Sequence, residues 1–204
     1  MKLYYAPGTV SVSIAIALHE AGLDFDSHKV SFKDAEQTKP EYHAINPKGR
    51  VPALEIEGGI LTETGAILDY IAAIAPEAGL MPEDPVDAAR VRGVIHYLAS
   101  TMQPNHAHGP RAYRWAEKEE SHADMRAQVP KTMRASAAYV EDHCLRSPFV
   151  MGDHVTAADP HLFVMCLWLK GDGVDPEDFP RISAFLQAME ERASVKAARA
   201  AGML

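Results

Sequence analysis

Three short stretches of this chain gather donors, acceptors and charges of the kind that hold a small charged ligand. The first, Pro7-Gly8-Thr9-Val10-Ser11, joins a strand-like run to a helical one. Such a turn presents backbone N–H groups and hydroxyls at a helix N-terminus, where the local dipole favours an anion such as a thiolate. Thr9 and Ser11 equally suit plain capping of that helix. The second stretch is Asn46-Pro47-Lys48-Gly49-Arg50-Val51-Pro52-Ala53-Leu54. A proline opening a strand is awkward in a ladder, so Pro52 points either to an edge position or to a cis Val51–Pro52 bond. In the second case the Val51 main chain can offer N–H and C=O to an extended peptide by strand addition. The third is Leu61-Thr62-Glu63-Thr64-Gly65-Ala66-Ile67-Leu68. Here Thr64 and the helix amides suit a carboxylate and Glu63 suits an ammonium, the paired charges of an α-amino acid. A helix cap explains the same residues.

The remaining reactive side chains form weaker patterns. Cys144 and Cys166 are the only cysteines, and neither has a Cys-x-x-Cys partner. Free buried thiols are the expectation for a reducing compartment. Among ten histidines the densest pair is His106-Ala107-His108, but no companion residues stand at metal-ligand spacing, and no metal is expected. A formal net charge of -8 opposes general nucleic-acid binding, which needs a basic face. It does not oppose a small anion in a locally positive pocket. The N-terminus lacks an apolar run of signal-peptide length. No segment approaches the roughly 20 apolar residues of a membrane span. A cytoplasmic location without membrane contact is the expectation.

These stretches need elements to position them. Lys2 to Tyr5 reads as a strand. Ile14, Ala17, Leu18 and Ala21 recur at helical spacing, and Gly22 supplies a stop. Phe25 to Phe32 is a weaker strand where a right-handed βαβ crossover requires one. Val51 to Ile56 and Ile60-Leu61 flank Gly58-Gly59 as a hairpin, and Ile67, Tyr70, Ile71 and Ile74 mark a helix from Thr64 to Ala75. The order is βαβ, an irregular stretch, then ββα. Pro76 to Pro85, with three prolines and a glycine, suits a linker. Beyond it the pattern is helical. One stripe runs Val91, Val94, Ile95, Leu98, Met102; another runs Met125, Val129, Met133, Val140, with a break or kink expected at Pro130. Leu162 to Leu169 is apolar on nearly every side and should be the buried centre. Phe185, Leu186 and Met189 mark a last amphipathic helix. The expected division is an α/β unit over 1–78, a linker over 79–86 and an all-helical domain over 87–204.

Taken together the three stretches resemble the cytosolic glutathione S-transferases, closest to the bacterial beta class. The matching pieces are Lys2-Leu3-Tyr4-Tyr5-x-Pro7-Gly8, Ile45-Asn46-Pro47-Lys48-Gly49-x-Val51-Pro52 and Leu61-Thr62-Glu63-x-x-Ala66-Ile67. Gly152-Asp153-His154-Val155-Thr156-Ala157-Ala158-Asp159 is similar to the family's capping box, in which Thr156 caps the buried helix and Asp159 reaches back to free amides. Ser194-Val195-Lys196-Ala197-Ala198 is family-like too. The resemblance implies a thioredoxin-like N-terminal domain, an all-helical second domain, a cis bond before Pro52 and a homodimer binding glutathione. Carried over by position, Glu63 and Thr64 hold the γ-glutamyl end, Val51 with Pro52 meets the cysteinyl backbone, and Lys33 takes the glycine carboxylate. The hydrophobic electrophile would lie between the domains near Met102, His106 and Tyr113. No cofactor beyond glutathione as co-substrate is implied.

The chain also departs from the family. The beta class usually carries a cysteine immediately after the position of Thr9, and Val10 stands there, so no mixed disulfide with glutathione can form at that turn. An Asn and a His often face the thiol from the second domain; the aligned positions are His96 and Gln103, and His106 lies nearly one turn further on. The expected reaction is transfer of glutathione sulfur to an electrophilic carbon, with Thr9 first, Ser11 second and His106 as candidates for holding the thiolate. The alternatives are glutathione-dependent reduction of disulfides or peroxides, and a non-catalytic ligand-binding role.

Overall fold

The computed structural model covers residues 1–204. Strand β1 (Lys2–Tyr5) leads through a turn into α1 (Val12–Glu20), and β2 (Asp26–Lys29) returns parallel to β1. Gly22 ends the helix at a φ of 63°, a conformation that costs glycine nothing. The irregular stretch holds one 3₁₀ turn (Glu36–Thr38) and the short α2 (Pro40–His43). Strand β3 (Ala53–Ile56) pairs antiparallel with both β1 and β4 (Gly59–Thr62), and α3 (Thr64–Ile74) follows. The sheet order β2-β1-β3-β4, with α1 and α3 packed together, is a thioredoxin-like unit. Leu3, Ile14, Leu18, Leu54, Ile67 and Ile71 are fully buried in it.

Everything after Gly79 is helical or loop. Asp84 caps α4 (Pro85–Tyr97) by accepting from the amides of Val86 and Asp87, both at 2.9 Å. That helix runs through a π turn (Leu98–Met102) into α5 (Gln103–Ala107). Then come α6 (Glu119–Tyr139), α7 (Ala158–Trp168), α8 (Pro180–Glu190) and α9 (Ala193–Ala200). A single cluster of 47 buried residues runs through both parts, so neither buries its apolar face without the other. Leu162, Phe163, Val164, Met165 and Cys166 of α7 are fully buried, as their unbroken apolar run requires.

Three expectations are corrected. Of the break or kink expected at Pro130, the break is absent: helix α6 continues through it, because the turns on either side bury Val129, Met133 and Ala137 and packing outweighs the lost backbone bond. The helix holding Phe185 is not the last, since α9 follows; Arg192 and Ser194 at its start bind the Glu20 carboxylate of α1. In the capping box Asp159 does reach back, accepting from the Thr156 amide at 2.7 Å and the Val150 amide at 2.8 Å. The Thr156 hydroxyl, however, donates to Asp159 at 2.7 Å rather than capping an amide. Burial pushes the Asp159 carboxyl up to about 6 despite these bonds. Both cysteines are buried and free, and burial raises both thiols above their ordinary range.

Candidate active site

The turn between β1 and α1 is tied down from two sides. The Gly8 amide donates to the Met203 carbonyl at 2.9 Å, and the Gly8 carbonyl accepts from the Trp168 indole at 3.0 Å. Inside the turn, Thr9 Oγ1 lies 2.8 Å from the Ala6 carbonyl and 2.7 Å from Ser11 Oγ. Ser11 Oγ accepts from the Ala6 amide at 3.1 Å and also lies 3.3 Å from the Ala6 carbonyl. Each hydroxyl has one proton, and either orientation of the pair directs both protons to acceptors within the turn. Ser11 is fully buried. The amides of Gly8, Thr9, Ser11, Val12 and Ser13 all have partners, while that of Val10 has none.

Two adjoining recesses open beside this turn. The larger, about 520 Å³, lies between the thioredoxin-like unit and α4–α5. Val10, Val51, Pro52, Glu63, Thr64, Gly65 and Ala66 line it from one side, with His96 and Gln103 opposite. The Val51–Pro52 bond is cis, and neither the amide nor the carbonyl of Val51 has a partner in the chain. Glu63 sits at φ 72°, a region that costs a non-glycine residue about 1–3 kcal/mol and persists only where the surroundings impose it. Its carboxylate accepts from Lys48 Nζ at 2.5 Å, while the same ammonium donates to Thr62 Oγ1 at 2.8 Å. The first internal bond of α3 is Ile67 to Glu63, so the amides of Thr64, Gly65 and Ala66 are free at its positive end. A Cβ on Gly65 would meet Ile95 at 2.9 Å, and this is how α3 comes so close to α4.

The smaller recess, about 210 Å³, shares Val10, Arg50, Val51, Gln103 and Arg114 with the first. Gly8, Thr9, Phe32, Gln37, Gly49, His106, Arg111, Tyr113 and Trp168 complete its wall. The His106 ring stacks on Trp168 with centroids 4.1 Å apart, and its Nδ1 stands 2.8 Å from the Asp172 carboxylate. A carboxylate accepts, so Nδ1 is the donor of this contact, and in the neutral form of the ring Nε2 holds the lone pair. No group of the chain bonds that Nε2. The Gln37 amide oxygen is buried without a donor, and Gly49 packs against the Gln37 carbonyl so closely that a Cβ would stand 2.8 Å from it.

The structure thus gathers Val51, Pro52, Glu63, Thr64 and His96 around one recess, and Thr9 with His106 around the other. Ser11 lies behind the wall. Lys33 is exposed and lines neither recess. Met102 is fully buried and turns away from the cleft, because the apolar stripe that runs from α4 through the π turn points it into the core; Gln103 and His106 take the cleft side instead. Asp172, Trp168, Arg111 and Gln37 were not singled out. No local pattern marks them, since they meet the site only through folding.

A thioredoxin-like unit with free Val51 and α3 N-terminal amides, walled by an all-helical domain, is the two-domain architecture of the transferase fold. The comparisons agree. Residues 1–73 match the family model of the glutathione S-transferase N-terminal domain, and residues 106–201 that of the C-terminal domain. The chain is 32% identical over 204 residues to glutathione S-transferase GstA of Escherichia coli O157:H7, covering 98% of each. It is 32% identical over 188 residues to a maleylacetoacetate isomerase of Pseudomonas aeruginosa, covering 89% of this chain and 87% of that one. Among solved structures, a glutathione transferase homologue from Sulfitobacter with bound glutathione superimposes at a TM-score of 0.98, with 56% identity, 100% of this chain and 98% of that one covered. This chain belongs to the glutathione S-transferase family, and its fold matches bacterial beta-class members. No helix is long and apolar enough to cross a membrane.

Proposed function

We propose that the chain binds glutathione in the larger recess and directs its sulfur, as thiolate, at an electrophilic carbon in the smaller one. The γ-glutamyl carboxylate meets the free amides of Thr64, Gly65 and Ala66, and its ammonium meets Glu63. Lys48 now pairs with that carboxylate, but both side chains are exposed, so sharing or displacing the pair costs little. The cysteinyl backbone pairs with Val51, which directs the sulfur toward Val10, the wall common to both recesses.

The observation that carries this reading is the lone Val10 amide beside a histidine held by a carboxylate. A thiol of pKa about 8.5 is mostly protonated at neutral pH, and lowering it by about two units takes roughly 2.7 kcal/mol. One charge-assisted hydrogen bond contributes about 1.5–3 kcal/mol. His106 Nε2 takes the thiol proton and Asp172 steadies the imidazolium, so the sulfur is free to form the new S–C bond while the leaving group departs with its electron pair. Thr9 lies beside the sulfur and Ser11 shapes the turn. We also propose a homodimer, in which β4, α3 and α4 would cover the exposed Ile60, Ile74 and Val86.

A second reading has support from the isomerase named above: the thiolate adds to an activated alkene and is then expelled, so glutathione is not consumed. Turnover tests with a chloronitrobenzene, an organic peroxide, a small mixed disulfide and a cis-enedione, each with glutathione balance, separate the readings. Stoichiometric conjugation of the aryl chloride supports transfer. Isomerised enedione with glutathione conserved supports the second reading, and oxidised glutathione supports reduction. Binding without turnover leaves a carrier.

A further inference from the structure

The charge of the smaller recess is at odds with that of the chain. Acidic residues outnumber basic ones by eight overall, yet no Asp or Glu lines this recess, and Arg50, Arg111 and Arg114 all do. None of the three guanidinium groups has a carboxylate partner or any hydrogen bond within the chain. Nine other ion pairs bind Lys or Arg elsewhere, so arginines of this protein usually find a carboxylate when one is within reach. The Asp172 carboxylate behind His106 is already engaged at both oxygens by that ring.

Arg111 is the informative member. Arg50 and Arg114 are exposed and also line the glutathione recess, where Arg50 can meet a glutathione carboxylate. Arg111 lines the smaller recess alone and is half-buried. Burial, together with the positive charges of Arg114 and Arg50, lowers its guanidinium below the usual range. A planar fork of donors kept partly dehydrated beside like charges is a site for a planar oxyanion, which guanidinium binds in bidentate fashion. An apolar electrophile would leave those donors unpaired under it.

We infer that the second substrate carries a carboxylate, docked on Arg111 and Arg114, instead of being a neutral hydrophobic molecule. This rests on the transferase reading, which puts the sulfur at Val10 and His106; Arg111 and Arg114 line the same recess. Gln37 and Gln103 add polar lining, and Phe32, Tyr113 and Trp168 supply the apolar surface against which a ring or chain can lie.

The test uses a matched pair, 4-chloro-3-nitrobenzoate and its methyl ester. In both, the thiolate forms the C–S bond, the C–Cl bond breaks with chloride taking the pair, and the thiol proton goes to His106 and then solvent. Each kcat/KM is divided by the rate constant of the uncatalysed reaction with glutathione. The wild-type protein should prefer the carboxylate at least tenfold on this scale, and Arg111→Met should reduce that preference tenfold or more. Glutathione binding is common to both substrates and cancels in the ratio. A wild-type ratio near one, or a ratio that Arg111→Met leaves unchanged, overturns the inference. If neither chloride is displaced, the transferase reading fails by itself, and the anion site is then measured by calorimetry with the two synthetic S-aryl glutathione conjugates. Tighter binding of the carboxylate conjugate, lost in Arg111→Met, upholds the site; equal binding of the two refutes it.

Discussion

The Asp172 carboxylate holds His106 Nδ1 at 2.8 Å across 66 residues of sequence. Asp172 follows α7 and His106 lies in α5, so this one bond fixes the ring nitrogen presented to the recess. Trp168 stacks on the same ring and donates to the Gly8 carbonyl, and thereby joins the helical domain to the turn that would carry the sulfur.

If Asp172 acts by positioning His106, its effect must vanish when the imidazole is gone. Asp172→Asn is expected to lower kcat by about 10- to 100-fold, or roughly 1.4 to 2.7 kcal/mol, with little change in glutathione affinity. In a His106→Ala background the same change should do almost nothing further. Additive losses in the double-mutant cycle, measured by steady-state kinetics, would reduce Asp172 to a structural residue.

Glutathione affinity should depend on the charge of Glu63 more than on its size. Glu63→Gln is expected to weaken binding by about 1.5–3 kcal/mol, the range of a hydrogen bond to a charged group. Calorimetric titration decides it, with circular dichroism to verify folding; wild-type affinity in a folded variant would remove Glu63 from the site.

The two hydroxyls of the turn should separate by kind of effect. Ser11→Ala leaves the buried Ala6 amide without its acceptor and should destabilise the fold by about 1–3 kcal/mol. Thr9→Val should move the titration of bound glutathione by less than about half a unit, roughly 0.7 kcal/mol, because the Thr9 proton already has acceptors in the turn. A shift of a full unit or more in Thr9→Val, with the pH titration followed by thiolate absorbance, would make Thr9 the principal donor.

His161, fully buried in α7, has no partner at either ring nitrogen, and burial pushes its pKa down to about 3. The folded state therefore leaves it neutral, while the unfolded state takes up a proton below about 6.5. Because the unfolded state binds more protons between those values, His161 makes stability fall as pH drops from about 6.5 to 3. His161→Leu should gain stability relative to wild type by about 2 kcal/mol more at pH 5 than at pH 8. Urea unfolding at the two pH values checks it. Asp159, pushed up to about 6, has the opposite sign in both proteins and cancels in the comparison. An equal change at both pH values would mean that His161 is not neutral and buried.

The thioredoxin-like unit was legible because each of its signals is local. Gly22 ends a periodic helix, Gly58-Gly59 turns a hairpin, and Pro52 and Glu63 stand at fixed offsets from both. The buried α7 was legible for a similar reason, as an apolar run with no polar face. The helical domain's share of the site was not. Residues such as Arg111, Trp168 and Asp172 sit in loops and helix ends whose placement depends on how α5, α6 and α7 pack, and nothing within a few residues of them reports that. Lys33 illustrates the converse. Position in the family pattern suggested a charge at that loop, and Phe32 and Gln37 are the residues of it that line the recess.

Under the proposed function, glutathione sits as a thiolate between Val10 and His106. Thiolate absorbance of the binary complex, followed against pH under saturating glutathione, tests it with no assumption about the second substrate. The midpoint should lie about two units below the ordinary thiol value of about 8.5, a stabilisation of roughly 2.7 kcal/mol, and should rise in His106→Gln. A midpoint equal to that of free glutathione, in a complex shown by calorimetry to be saturated, would mean that neither Val10 nor His106 stabilises the thiolate.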